Sequence, residues 1–322
     1  MSSSARTSLR LPDWLVLNQN FVLLWLAYGV AAIGDHLSEM ALLSERGGLA
    51  RDDATRIQAL ISFGFFLPFV VFGPLAGWWS DRFSRKTTMI VADVLRALLV
   101  FNLAYIVCQL ERWFEPARFP GAPWLLPIGS ALPEAVSPPT TGIGDMAIVI
   151  PLAIVGFLAA FFSPARQAML PTLIRDDQLV RANALISALG TVGGITGGVL
   201  GGVLVDYLGP RGLHYNYWMN AGTFAISAAF VSMIAMSHTR AVTHPKLEGI
   251  FTPIAQGFRY VRDHRRVWQM ILLGTVFWGC AGVVISVVPA IVRDVFGGGV
   301  TQVSIYRGLI IVGLAVGATV MS

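Results

Sequence analysis

An all-α integral membrane protein is the fold class that this sequence predicts. Of its 322 residues, 55% are hydrophobic and only 13% are charged. A soluble domain carries about 25% charged residues, because its surface must face water. The hydrophobic residues also fall into long uninterrupted blocks, and this pattern is not that of an ordinary soluble protein.

Eight blocks without aspartate, glutamate, lysine or arginine follow one another along the chain. They span residues 14–34, 57–80, 97–108, 146–165, 182–205, 215–237, 267–292 and 308–322. About 20 helical residues, at about 1.5 Å each, cross the ~30 Å hydrocarbon core. Backbone amides in lipid must be satisfied within their own segment, so each block is predicted to be a helix. The alternating pattern of membrane β-strands is absent. The first block lacks a small-residue cleavage site, so we interpret it as a retained helix and not as a signal peptide.

The basic residues predict the orientation, because lysine and arginine concentrate on the cytoplasmic side of membrane proteins. With the N-terminus inside, 14 of them lie in cytoplasmic segments and 8 in the opposite segments. The cytoplasmic segments are 1–13, 81–86, 166–181 and 238–266, and the opposite ones are 44–56, 111–145, 206–212 and 293–307. We therefore predict a multi-pass protein of the bacterial inner membrane with a cytoplasmic N-terminus. Its net charge of +5 then faces the anionic inner leaflet, and no nucleic-acid partner is implied.

Motifs of catalysis are missing from the sequence. No spacing typical of metal ligands, an activated nucleophile or a phosphate-binding loop is present. The two cysteines, Cys108 and Cys280, are far apart and indicate neither a disulfide framework nor a metal site. The sequence therefore predicts a protein that is not an enzyme and that has no cofactor and no metal.

Polar connections divide the chain into three predicted parts. These are a six-helix bundle at 1–237, a cytoplasmic linker at 238–266 and the start of a second bundle at 267–322. Within the linker, Ile254, Phe258 and Val261 alternate with arginines, as in a basic amphipathic helix on a membrane surface. The connection 111–145 is rich in proline and glycine, and we expect a coil or a short cap over the outer mouth. A role for it in substrate binding stays open.

The segment GPLAGWWSDRFSRKTTMI, between the second and third blocks, carries a family resemblance. Its spacing Gly-x-x-x-Asp-Arg-x-x-Arg-Lys consists of Gly77, Asp81, Arg82, Arg85 and Lys86. In pattern and position it resembles the signature loop of the major facilitator superfamily, with Trp79 where leucine is usual and Ser84 where glycine is usual. A basic loop that merely obeys the charge rule is the alternative, but it does not explain the aspartate.

Further segments resemble one branch of that superfamily. Enterobactin-type siderophore exporters and related drug exporters are similar to the segments NQNFVLLWLAYGVAAIGDHLSEMALL, VADVLRALLV and FFSPARQAMLPTLIRDDQLVRANALISA, and the similarity covers most of residues 18–290. Lysophospholipid transporters share the Ser-Pro-Ala segment and remain an alternative. The resemblance implies twelve helices in two bundles, so we expect this chain to hold the first six and about two more, and to end inside the eighth.

The fifth block contains a glycine motif, GGITGGVLGG. Gly193, Gly197 and Gly201 are four residues apart and share one helical stripe, with Gly198 and Gly202 beside them. The motif resembles the antiporter motif of the superfamily's exporters, with Gly198 where proline is expected. Plain helix packing is the alternative explanation of such a stripe.

Asp35 and Glu39 are the first candidates for a functional site, because ionisable residues are costly inside a membrane. They lie one turn apart on one face of the first helix, where both can face a central cavity. Burial and a like charge favour the neutral carboxyl form, which suits a group that exchanges protons. Glu39 has a second explanation, a position in the wet outer mouth.

Asp93 and Arg96 are a second candidate set, three residues apart and close enough for an internal pair. We expect this pair near the cytoplasmic end and in a structural role. The resemblance to the superfamily's charge-relay latch implies that the pair acts with the Asp81 loop, with Arg166 as partner, to hold the inward-closed state.

Together the residues and the resemblance predict a secondary active transporter. We expect it to export an amphipathic small molecule, of the drug or siderophore type, driven by proton entry. Its partners would be the substrate, protons and the lipid bilayer, and the protein would act as a monomer. A lysophospholipid flippase and a non-transporting membrane protein, such as a receptor, are the alternatives.

Overall fold

The computed structural model describes residues 18–45, 54–114, 145–235 and 251–320, and these residues form ten α-helices. In chain order they are α1 (Gln19–Glu45), α2 (Ala54–Arg82), α3 (Arg85–Phe101), α4 (Leu103–Phe114), α5 (Met146–Leu173), α6 (Leu179–Leu208), α7 (Pro210–Met233), α8 (Phe251–Asp263), α9 (Arg265–Asp294) and α10 (Val300–Val320). No β-strand occurs within the described ranges. The prediction of an all-α protein is therefore confirmed.

The helices have the length and composition of a multi-pass membrane protein. In the described part of the chain, five helices are long and apolar enough to cross a membrane, namely α1, α2, α5, α6 and α9. The helices α3 and α4 meet the same test together, as a sixth candidate span that is bent by 63°. The remaining two predicted blocks also hold helices, α7 and α10, so that each of the eight predicted blocks contains helix in its described part.

The third span is longer than the block 97–108 that predicts it. Its two helices run from Arg85 to Phe114 and are separated at Asn102. The sequence block begins late because Asp93 and Arg96 interrupt the apolar stretch. The helix tolerates both charges because they pair with each other inside the bundle.

Close packing between α2 and α5 shows how the bundle brings its backbones together. A Cβ atom added to Gly156 of α5 would lie 2.2 Å from the carbonyl oxygen of Phe65 on α2. Only a residue without a side chain fits at that distance, and small residues are the usual means by which membrane helices approach closely. In the same bundle α1 packs between α6 and α7, and α3 packs on α5 and α7.

Two hydrophobic clusters lie at opposite ends of the bundle. We call the end that contains residues 81–86 the signature end, and the opposite end the far end. The cluster at the signature end joins residues such as Phe21 and Met89, and it holds none of the described residues of α9 or α10. The cluster at the far end includes Ile57 of α2, Val288 of α9 and Val303 of α10. The helices α9 and α10 therefore pack on the α1–α7 bundle at the far end.

Some predictions concern residues that the structure does not describe. The segment 1–13, most of the connection 111–145 and residues 238–250 of the linker lie outside the described residues. The rest of the linker contains α8, on which Phe258, Arg259 and Arg262 are exposed. The division into three parts and the membrane-surface role of α8 stay predictions.

Candidate functional site

Asp35 lies beyond the middle of α1, with its side chain partly exposed. It forms no hydrogen bond or ion pair with any residue in the described part of the chain. Asp35 can therefore gain or lose a proton without breaking an ion pair.

Glu39, one turn further along α1, is the centre of a polar cluster at the far end. Its Oε1 accepts a hydrogen bond from Arg307 Nη1 at 2.8 Å and another from Gln58 Nε2 at 3.1 Å. Its Oε2 lies 3.0 Å from His36 Nδ1. Arg307, on α10, also donates from Nη2 to the carbonyl oxygen of Ile285 on α9 at 3.4 Å. We call Glu39, His36, Gln58 and Arg307 the far-end cluster.

Asp93 and Arg96 form a fully buried ion pair on α3. The hydroxyl of Ser227 on α7 donates to Asp93 Oδ2 at 2.6 Å. The guanidinium carbon of Arg96 lies 4.3 Å from the ring centre of Phe224 and 4.8 Å from that of Phe162. At about 1.5 Å per residue, the pair is about 12–17 Å along α3 from Arg85. It thus lies deeper in the bundle than the position near the helix end that the sequence led us to expect.

The basic residues of the signature segment bind helix carbonyl groups. Arg85 Nη1 donates to the carbonyl oxygen of Ala168 on α5 at 2.7 Å. Lys86 Nζ donates to the carbonyl oxygens of Ser232 and Ile234 at 2.7 and 2.8 Å. The last carbonyl groups of a helix have no partner within it, and a cation there also interacts favourably with the helix dipole. Lys86 therefore stabilises the end of α7.

The remaining signature residues lie in different surroundings. Asp81 is exposed and forms no hydrogen bond or ion pair within the described ranges. The guanidinium carbon of Arg82 lies 4.4 Å above the ring centre of Trp78. The carbonyl oxygen of Gly77 accepts a hydrogen bond from the hydroxyl of Ser80 at 2.9 Å.

Arg166 of α5 does not contact Asp81 in this structure. Its guanidinium carbon lies 4.3 Å from the ring centre of Tyr28 on α1, at a distance typical of a cation–π contact. Its Nε atom is buried without a hydrogen-bond partner in the described part of the chain. The structure therefore does not bring the predicted latch residues Asp81, Asp93 and Arg166 together.

The glycines of α6 face two different helices. A Cβ atom on Gly197 would lie 2.1 Å from the carbonyl oxygen of Ile33 on α1, and one on Gly202 would lie 2.7 Å from Thr301 Cα on α10. The stripe toward α1 consists of Gly193, Gly197 and Gly201, and the stripe toward α10 consists of Gly198 and Gly202. The motif thus holds α6 between the bundle and α10.

Three residues of the far end were not predicted from the sequence. These are Gln58 and Arg307 of the far-end cluster, and Asp206 at the end of α6. Asp206 Oδ1 accepts from the backbone N–H of Val300 at 3.2 Å, and its Oδ2 accepts from the N–H and the hydroxyl of Thr301 at 2.9 and 2.7 Å. It therefore caps α10 from a distant part of the chain. The charge of Arg307 directly before the apolar block 308–322 is a signal for such a site, although the pattern of basic residues places it in the connection 293–307.

The fold and these buried charges define a class of protein, a multi-pass α-helical membrane protein with ionisable groups between its helices, as in transporters. The family model of the Major Facilitator Superfamily matches residues 23–322. The chain belongs to this superfamily, whose members are transporters and not enzymes. The predicted membership of this superfamily is thereby confirmed.

Several bacterial relatives are similar to this chain. Macrolide efflux protein A of Streptococcus pyogenes is 24% identical over 313 residues, which are 92% of this chain and 66% of the relative. Macrolide efflux protein A of Enterococcus faecalis is 24% identical over 265 residues, 78% of this chain and 69% of the relative. An uncharacterized MFS-type transporter of Bacillus subtilis, YfiS, is 23% identical over 235 residues, 72% of this chain and 47% of the relative.

These relatives agree with the drug-exporter branch that the sequence segments resemble. The chain spans 66% of the length of the Streptococcus pyogenes relative. No solved structure gives a significant match.

Proposed function

We propose that this protein exports an amphipathic small molecule of the drug type across the bacterial inner membrane in exchange for protons. Asp35 is the coupling carboxyl group in this proposal. The observation that carries it is the state of Asp35, a partly exposed carboxylate inside a membrane helix with no ion-pair partner among the described residues. Relatives named for macrolide efflux support the export direction and suggest macrolides as the first substrates to test.

Asp35 couples the two movements through its charge. It must lose its proton before the substrate binds and regain one before the empty carrier resets. The neutral form passes the low-dielectric gate at a lower cost than the ion, because a charge without a partner is expensive to bury. Proton entry down its gradient then favours the direction of the cycle that moves substrate outward.

Alternating access also requires a second closed state, and the signature segment is where we propose it forms. In this structure α9 and α10 pack on the bundle at the far end, and most residues of α9 from 265 to 284 are exposed. Asp81 is exposed here without a contact in the described part. We infer that the signature end faces the cytoplasm and that Asp81 finds its partner when that end closes.

Asp35→Asn tests the coupling role. This change mimics the protonated state permanently, so uphill export should be abolished while downhill exchange stays partly intact. Both activities are measured in proteoliposomes with a radiolabelled macrolide, with and without an imposed pH gradient. An Asp35→Asn protein that still concentrates the macrolide as well as the unmodified protein would remove Asp35 from the coupling step.

The matched control is Asp176→Asn, which removes a carboxylate from an exposed 3₁₀ turn between α5 and α6. Export should be unchanged in this variant, because Asp176 faces water and lies outside the helices. A panel of unrelated amphipathic compounds in the same assay defines the substrate class.

A further inference from the structure

The contact between Glu39 and Arg307 joins two parts of the molecule at the far end. Glu39 belongs to the α1–α7 bundle, whereas Arg307 belongs to α10 and binds α9 through the carbonyl oxygen of Ile285. The Arg307 side chain is 10% exposed and that of Glu39 is 23% exposed. A charge-assisted hydrogen bond is about twice as strong as a neutral one, and separating a buried pair leaves an uncompensated charge. The far end therefore cannot open while Glu39 stays charged without a large cost.

The two oxygens of Glu39 have different neighbours. Oε1 accepts from both Arg307 and Gln58, whereas Oε2 is within hydrogen-bond distance of His36 alone among the described residues. The His36 side chain is 42% exposed. His36 is therefore the partly exposed member of the cluster through which a proton can reach Oε2 without displacing Arg307 first.

We propose that the Glu39–Arg307 ion pair is a latch of the far end, which a proton releases by reaching Glu39 Oε2 through His36. The step forms an O–H bond at Oε2 and breaks an N–H bond at His36 Nδ1. His36 regains its proton from water, and Arg307 keeps its charge throughout. Neutral Glu39 then binds Arg307 more weakly, and α10 can separate from α1.

Other groups around Glu39 are compatible with this role. Asp35 lies one turn away on α1, α2 contributes Gln58, and Arg307 is the charged group that faces Glu39 from α10. The helix α9 contributes the Ile285 carbonyl group, which binds Arg307.

The proposal rests on the proposed transport function, but its test needs no substrate. Spin labels are placed on Tyr207→Cys, at the end of α6, and Val295→Cys, after α9, in the full protein with Cys108→Ala and Cys280→Ala. Both sites are exposed, at 83% and 69%. Pulsed electron paramagnetic resonance measures their distance in nanodiscs. We expect one short distance at about pH 8 and a growing longer-distance population toward about pH 5.

Variants identify the group responsible for the change. Glu39→Gln should raise the ratio of the long- to the short-distance population by about tenfold or more at high pH and make it independent of pH. Arg307→Gln should do the same, while Arg307→Lys and the control Asp176→Asn should keep the short distance. Combining Glu39→Arg with Arg307→Glu should restore the short distance that Glu39→Arg loses. A short distance at every pH in Glu39→Gln would overturn the latch.

The route through His36 is tested by the rate at which the far end opens, and not by the equilibrium populations of the two distances. A fluorophore on Tyr207→Cys reports opening after a rapid drop in pH. His36→Gln keeps a hydrogen-bonding side chain but cannot relay a proton, so opening should slow by about tenfold or more. An unchanged rate would overturn the route through His36.

These outcomes are separate from those of the export assay. Distances that respond to pH and to Glu39→Gln in a protein that exports no compound would support the latch and contradict the proposed function. The protein could instead export the compound while the distance between the spin labels stays the same at every pH and in every Glu39 variant. That result would contradict the latch and support the export function.

Discussion

Asp93 and Arg96 illustrate how charges persist inside an apolar bundle. The two residues form an ion pair, and the hydroxyl of Ser227 donates a hydrogen bond to Asp93. Two aromatic rings cover the guanidinium group of Arg96. Asp35 lacks such a partner among the described residues, although it lies in the same bundle. The first arrangement suits stability, whereas the second suits a group that changes its charge during a cycle.

Arg96→Met tests the structural role of the pair. It leaves the Asp93 carboxylate buried without its cation, so the free energy of unfolding should fall by about 3–5 kcal/mol. Arg175→Met is the matched control, because the Arg175 side chain is 80% exposed and pairs with an exposed Asp177. Its effect should be about 1 kcal/mol or less. Both values come from reversible unfolding in mixed micelles, and equal losses in the two variants would contradict this role.

At the scale of elements, α6 is a helix that packs against both α1 and α10. Its glycines bring it against α1 on one side and against α10 on the other. Asp206, at its end, caps the first turn of α10. Because the glycines leave no side chains in between, the two contacts depend on the shape of the backbones. We expect α6 to be where opening of the far end is most sensitive to added volume.

Gly197→Ala tests that sensitivity. The added Cβ would lie 2.1 Å from a carbonyl oxygen of Ile33, and backbone on both sides cannot give way as a flexible side chain can. We expect a loss of about 1–3 kcal/mol or more in the free energy of unfolding. Gly222→Ala in α7 is the control, since its added Cβ would have no neighbour within 4 Å among the described residues. This change should stabilise the protein slightly, and an equal loss would contradict the packing argument.

At the scale of the whole molecule, the far end and the signature end differ. At the far end, residues of α9 and α10 belong to the same hydrophobic cluster as residues of the bundle. The ion pair between Glu39 and Arg307 adds a polar contact between the bundle and α10 at this end. The cluster of the signature end contains residues of the α1–α7 bundle and none of the described ones of α9 and α10. This asymmetry is what a carrier closed at one end requires.

The proposed orientation can be tested with single cysteines. Phe83→Cys lies in the signature segment and Tyr207→Cys at the far end, and both native side chains are exposed. If the signature end is cytoplasmic, an impermeant maleimide should label Tyr207→Cys but not Phe83→Cys in intact cells that lack other cysteines in the protein. Permeabilised cells are the control, in which both should react. Labelling of Phe83→Cys alone in intact cells would reverse the orientation.

The helices and the family could be predicted from the sequence, because both depend on local patterns. A block such as 146–165 partitions into lipid whatever its neighbours are, and its backbone must then bond within itself. The signature spacing from Gly77 to Lys86 likewise lies within ten residues. The end of α1 and the beginning of α3 were predicted less well, because charges interrupt the apolar blocks there. Those charges find partners that the blocks do not reveal, Arg307 of another helix for Glu39 and Arg96 of the same helix for Asp93.

The connections between distant residues were decided by the tertiary structure. Asp35 and Glu39 look alike in sequence, yet Glu39 is bound by Arg307, which is 268 positions away, and Asp35 has no partner in the described ranges. Arg307 itself lies inside a helix and not in the connection 293–307 to which its charge assigned it. Hydrophobicity and motif spacing are properties of residues that are neighbours in the chain. The partner of a buried charge depends instead on which helices pack together, and this packing cannot be predicted from one segment of the chain.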